Sequence, residues 1–185
     1  MTFDDLWFLA DRADQQAEQA YHRLVDRYDP LELERVDRVS RGRFRTLAER
    51  IDRWGAPYGA HTVVHRDGEA LVLVRHDAVG KWVLPGGAPD GGESLREAAR
   101  RELGEEAGVD ASYDGLAMVT RVEVRHGSYA TWGVLPVFEA RAETTEPAVS
   151  DPDGEISAAR WFPFDALPED TRDRGDLLEW HDRRF

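Results

Sequence analysis

Residues 87–109 read GAPDGGESLREAARRELGEEAGV, and this stretch decides the architecture. Glu102, Glu105 and Glu106 stand at i, i+3 and i+4, which on a helix places three carboxylates within an arc of about 100°. Such a cluster repels itself unless positive charge sits among it, and a hard divalent cation held through oxygen is the usual answer. The helix has a written start and stop. Ser94 and Glu97 form a capping box, and Gly108 occupies the position of a left-handed C′ residue. Ahead of it, Leu84-Pro85-Gly86-Gly87 and Asp90-Gly91-Gly92-Glu93 form a glycine-rich loop, which lets backbone pass close to a metal or a phosphate. The unit is therefore strand, glycine loop, carboxylate helix.

From Gly87 to Val109 the chain resembles the Nudix box, G-x5-E-x7-R-E-U-x-E-E-x-G-U with U aliphatic, at every defined position. Trp82-Val83-Leu84-Pro85-Gly86 is similar to that family's lead-in. The resemblance implies an α/β/α sandwich with a mixed sheet. It also implies a hydrolase that directs water at phosphorus in a nucleoside diphosphate linked to another moiety, ADP-ribose-like or a nucleoside triphosphate. By the same resemblance Glu102, Glu105 and Glu106 are metal ligands, joined by the backbone carbonyl of Gly86 or Gly87, and Glu105 and Glu106 are catalytic. Glu93 and Arg101 look like an ion pair that fixes loop to helix. Oxygen donors without cysteine or a histidine cluster favour Mg²⁺ or Mn²⁺ over zinc.

Outside the box the readings stay open. Glu155, in Asp151-Pro152-Asp153-Gly154-Glu155, is the candidate accessory ligand or general base, against a solvated acidic loop. Arg121 and Arg125 share a strand face, to meet phosphate or to pair with surface acids. Trp82, Tyr58 and Trp132 either stack a base or pack in the core. The histidines show no ligand spacing and are read as non-catalytic. No subfamily mark names a substrate: Val124 stands where the ADP-ribose branch carries a proline, and no cysteine is present for the isomerase branch. A non-catalytic nucleotide sensor, or an interaction module, is the alternative.

Composition narrows the partners. The formal charge is −13, with one lysine, Lys81, among 24 basic residues and 37 acids. Such a surface repels anions, so an extended nucleic-acid groove is not expected and a phosphate substrate needs local cations. An acidic surface suited to high salt accounts for the excess better than codon bias alone. Without cysteine there are no disulfides. No apolar run spans a membrane, and Met1-Thr2-Phe3-Asp4-Asp5 lacks the pattern of a leader, so a cytoplasmic location is expected.

Residues 1–56 read as a helical segment ahead of a hydrolase domain at 57–185. Leu6, Leu9, Ala13, Ala17, Ala20 and Leu24 follow helical spacing. Asp29-Pro30 reads as the start of a second helix carrying Leu33, Val36, Phe44, Leu47, Ile51 and Trp54. An apolar stripe must be buried somewhere, either on the chain's own sheet or on a second subunit, and a symmetric homodimer is the expected solution. From residue 60 the period becomes two. Hairpins are predicted around Arg66-Asp67-Gly68-Glu69 and His126-Gly127-Ser128-Tyr129. Pro136 suggests an edge or a bulge. A last strand covers 158–162 and a C-terminal helix 177–181.

Overall fold

The computed structural model describes residues 3–185. Met1 and Thr2, read above for a leader, lie outside them. Helix α1 (Phe3–Val25) is followed by strand β1 (Leu31–Arg38), α2 (Arg41–Trp54), β2 (Ala60–Arg66), β3 (Ala70–His76), β4 (Lys81–Val83) and β5 (Gly86–Gly87). Then come α3 (Leu95–Glu106), β6 (Ala111–His126), β7 (Tyr129–Ala142), β8 (Ile156–Pro163), a 3₁₀ turn (Phe164–Ala166) and α4 (Arg174–Arg184). Both hairpins form at the turns predicted for them, with Asp67 and Gly68 in left-handed conformation in the first.

The sheet runs β1-β6-β7-β2-β3-β4, with β5 paired to β2 and β8 to β3. It is mixed: β1–β6 and β2–β7 are parallel and the other pairs antiparallel. Strand alternation assigns its two faces. Val64, Val72 and Val74 pack with Leu103 and Ala107 of α3. Val63, Leu71 and Leu73 pack with Phe164, Leu177 and Trp180 at the C-terminal end. The carboxylate helix thus lies on one face and α4 on the other.

Two expectations are corrected. Residues 31–38 are a strand, not the first part of a helix. Leu33 and Val36 have helical spacing, but burial alternates along LELERVDR, and Val36 is 46% exposed. The physical reason is the free edge of β6. A parallel neighbour satisfies its backbone groups from Met118 to Arg125, which a helix there would leave unpaired. Pro136 is not at an edge either. It sits in β7, between β6 and β2, opposite Val119 and close to the register shift at Leu116/Met118, so the bulge reading describes it.

The apolar stripe of α1 is covered inside the chain. Leu6, Leu9, Ala13, Ala17, Ala20 and Leu24 are buried with Phe44, Leu47 and Ile51 of α2 and with Val134 and Trp132 of β7. Asp14 anchors the helix, accepting from Thr131 Oγ1 at 2.7 Å and Trp132 N at 3.2 Å. The stripe therefore gives no reason for a homodimer. It also sets the outcome of truncation. A chain of residues 57–185 loses an edge strand and uncovers one face of β7, so it should aggregate, seen as loss of soluble yield and of near-UV dichroism. A soluble, cooperatively folded fragment would contradict this. No described helix is long and apolar enough to cross a membrane.

Candidate active site

The box helix starts and ends as its sequence dictates. Ser94 Oγ accepts from Glu97 N at 3.3 Å, and the Glu97 carboxylate accepts from Ser94 N at 2.8 Å. Gly108 follows with φ +61°. Arg101 is the hub of the loop. Its guanidinium reaches Glu93 Oε1 at 3.0 Å, Glu102 Oε1 at 2.9 Å, Glu105 Oε2 at 3.2 Å and the carbonyl of Ala88 at 3.0 Å. The expected Glu93–Arg101 pair is present and is wider than a pair. These hydrogen bonds hold the guanidinium pKa above its ordinary value and that of Glu93 below.

Gly87 is needed by contact, not by flexibility. A Cβ there would lie 2.4 Å from Glu102 Oε1, so a larger residue would push this carboxylate out of its place against the loop. Beside it, Gly86 N donates to Glu106 Oε2 at 2.8 Å. Glu106 is 9% exposed. Burial pushes its pKa up to about 8; the Gly86 hydrogen bond opposes this, and Glu102, Asp151 and Glu155 add to it. Burial also raises Glu102, with Arg101 opposing.

Glu102 and Glu106 open into a cavity of about 880 Å³, with Asp151, Asp153 and Glu155 lining the same space. Asp151 folds its own loop, accepting from the backbone N–H of Asp153, Glu155 and Ile156. Burial raises its pKa, but those three donors bring it below the usual carboxylate value. Glu155 Oε2 stands 3.4 Å from His76 Nε2. Glu105 is held at Arg101 and does not line the cavity. Among the described residues no three acidic or imidazole groups converge tightly enough to form a finished metal cage. Arg101 supplies the positive charge in this arrangement. The donor set nevertheless suits a hard cation: it is all oxygen, and Glu106 within it is buried.

The aromatic and basic candidates divide. Tyr58 lines the cavity; its hydroxyl donates to Asp37 Oδ2 at 2.6 Å, and burial together with that bond pushes the phenol up to about 12. Trp82 is not among the cavity residues; it packs edge-on against Phe162 and carries Arg75 and Arg160 over its ring. Arg121 lies 3.6 Å over Trp132 in a separate cleft of about 320 Å³, and Arg125 pairs with Glu123. The structure does not bring these two arginines to the carboxylates.

Sequence reasoning passed over His61. It lines the cavity opposite Gly86 and is neutral, its pKa lowered to about 4 by burial and by Arg172 and Arg35. Arg35, Arg43, Arg50 and Arg172 line the same cavity and were also missed. Only the pairing of β1 and the seating of α2 bring the first three there.

A model of the NUDIX domain matches residues 56–181. The chain belongs to the Nudix family. A Bacillus subtilis relative provisionally named an 8-oxo-dGTP diphosphatase is 34% identical over 91 residues, 49% of this chain and 61% of that protein. A Mycobacterium tuberculosis protein provisionally named 8-oxo-dGTP diphosphatase 3 is 34% identical over 137 residues, 69% of this chain and 61% of its own length. This Nudix chain thus spans about three-fifths of either relative. Among solved structures, the MutT Nudix hydrolase of Burkholderia pseudomallei superposes with a TM-score of 0.50 at 28% identity, covering 69% of this chain and 96% of that one.

The titration of Glu106 has a measurable consequence. The carboxyl ionises near 4.5 when unfolded and near 8 when folded, so the folded state binds its proton more tightly. That contribution to stability is whole below pH about 4.5 and is lost as pH rises to about 8. The melting temperature of the protein in EDTA should therefore fall across this window by roughly 5 °C or more. Glu106→Gln should flatten the fall, and parallel profiles for the two proteins would contradict the assignment.

Proposed function

We propose that this chain hydrolyses a phosphoanhydride bond in a nucleoside diphosphate derivative, with Mg²⁺ or Mn²⁺ held by Glu102 and Glu106 and with Glu105 at the margin. The observation that carries this reading is the buried Glu106 carboxylate, seated on Gly86 N–H and facing a nucleotide-sized cavity together with Glu102, Asp151, Asp153 and Glu155. A bound divalent ion supplies countercharge to phosphate oxygens and acidifies a water. The chain supplies the rest. Arg101 and Gly87 hold Glu102 against the loop, and the Gly86 N–H orients Glu106. Glu155, steadied by His76, takes the proton of the attacking water. Neutral His61 offers a hydrogen bond to substrate beside Gly86 without adding charge. The relatives' names put oxidised deoxynucleoside triphosphates among the first substrates to try.

A screen of nucleoside triphosphates, 8-oxo-dGTP and ADP-ribose, read by release of phosphate, pyrophosphate or nucleoside monophosphate, tests this reading. Turnover with millimolar Mg²⁺ or Mn²⁺ that EDTA abolishes is the expected result. Tight nucleotide binding with no turnover on any substrate would replace it with a nucleotide sensor.

A further inference from the structure

The cavity has two chemically different walls. The box helix and the 151–155 loop make one of them acidic. The other comes from the segment before the family domain, where Arg43 and Arg50 of α2 stand beside Tyr58. The two walls adjoin: a Cβ on Gly59 would lie 1.9 Å from the carbonyl oxygen of Gly87, so Tyr58 and Gly59 run directly against the glycine loop.

Arg43 and Arg50 have no acidic partner among the described residues. The Arg43 guanidinium stands 5.9 Å from the centre of the Tyr58 ring, and Arg50 Nη1 donates to the Pro57 carbonyl at 3.5 Å. Among the described residues neither has a carboxylate within ion-pair distance, although the chain carries 37 acids against 24 bases. The nearby Asp37 is already engaged by Tyr58 and Arg35. Two guanidiniums facing a cavity without a described carboxylate partner, in so acidic a protein, are poised for an anion brought from outside, and guanidinium geometry suits phosphate oxygens.

We propose that Arg43 and Arg50 bind a substrate phosphate other than those held at the Glu102/Glu106 wall. This makes the substrate class a nucleoside triphosphate, whose polyphosphate carries one more charged group than a nucleoside diphosphate joined to a neutral sugar. The inference rests on the hydrolase reading for its catalytic half only; the anion site itself is testable without turnover.

The test uses the full chain and the double variant Arg43→Gln/Arg50→Gln, with Arg183→Gln as a remote control and circular dichroism to confirm folding. In EDTA, where the acidic wall repels anions, calorimetry with inorganic pyrophosphate should show binding to the wild type and to Arg183→Gln. In the double variant that binding should weaken by roughly tenfold or more, as expected for lost charge-assisted hydrogen bonds. With Mg²⁺, the double variant should raise KM for a nucleoside triphosphate by about tenfold or more while kcat and the KM for ADP-ribose stay within about threefold. Pyrophosphate binding that is absent in the wild type, or unchanged in a folded double variant, overturns the proposal even if hydrolysis is intact. Equal KM increases for triphosphate and ADP-ribose overturn the substrate class. Arginine-dependent binding without turnover on any nucleotide overturns the hydrolase reading and supports the anion site.

Discussion

Glu106→Gln should abolish hydrolysis, with kcat falling by about a thousandfold or more, while the protein melts at a higher temperature than wild type at pH 8 in EDTA. Both effects have one cause. Glu106 is the most buried of the box carboxylates, and the acids around it disfavour its charge. Its charged form is costly until a cation is present, which is why removing it stabilises the metal-free fold. That same charge is what a cation needs, and loss of one preorganised electrostatic group in an active site commonly costs ~10²–10³ in rate. Glutamine preserves shape and can still accept from Gly86 N–H, so a rate loss cannot be assigned to a collapsed loop. Glu105→Gln should have a smaller effect, because Glu105 is held by Arg101 outside the cavity. The measurement is steady-state kinetics beside thermal melts. Wild-type turnover in Glu106→Gln, or a lower melting temperature at pH 8, would refute the assignment.

Arg101→Ala should be the most disruptive substitution in the box for stability and activity together. Its guanidinium holds three carboxylates and the Ala88 carbonyl at once. Removing it leaves Glu93, Glu102 and Glu105 facing one another with no countercharge, beside a loop that has lost its tie to α3. Partial exposure screens the repulsion, so a loss of about 2 kcal/mol, or roughly 4–8 °C in Tm, is a reasonable scale. Arg101→Lys should recover little, since an ammonium cannot reach four acceptors in the plane of a fork. Divalent cation should narrow the gap in Tm between wild type and Arg101→Ala by supplying the missing charge. A variant that melts within about 1 °C of wild type in EDTA would show that the hub is dispensable.

Most of the carboxylate half of the candidate site was legible because its information is local. The capping box at Ser94–Glu97, the i, i+3, i+4 glutamates and the stop at Gly108 act within one helix. The Asp67-Gly68 turn and the alternating residues of β2 and β3 act within one hairpin. Even the Gly87–Glu102 contact was marked by a glycine at fixed spacing from the helix.

The other half of the cavity depended on long-range pairing. Residues 31–38 have both helical and alternating features, and only the open edge of β6 selects the strand. That choice places Arg35 on the cavity, and the seating of α2 brings Arg43 and Arg50 beside Tyr58. In the same way Arg121 and Arg125 stayed open along the chain between a phosphate and surface acids, and the fold puts Arg121 over Trp132 and Arg125 beside Glu123. The sequence by itself therefore determined the family, the carboxylate helix and its loop, because those rest on contacts among near neighbours. Tertiary structure alone decided which arginines face the site, because that rests on which strand closes the sheet and which helix covers its face.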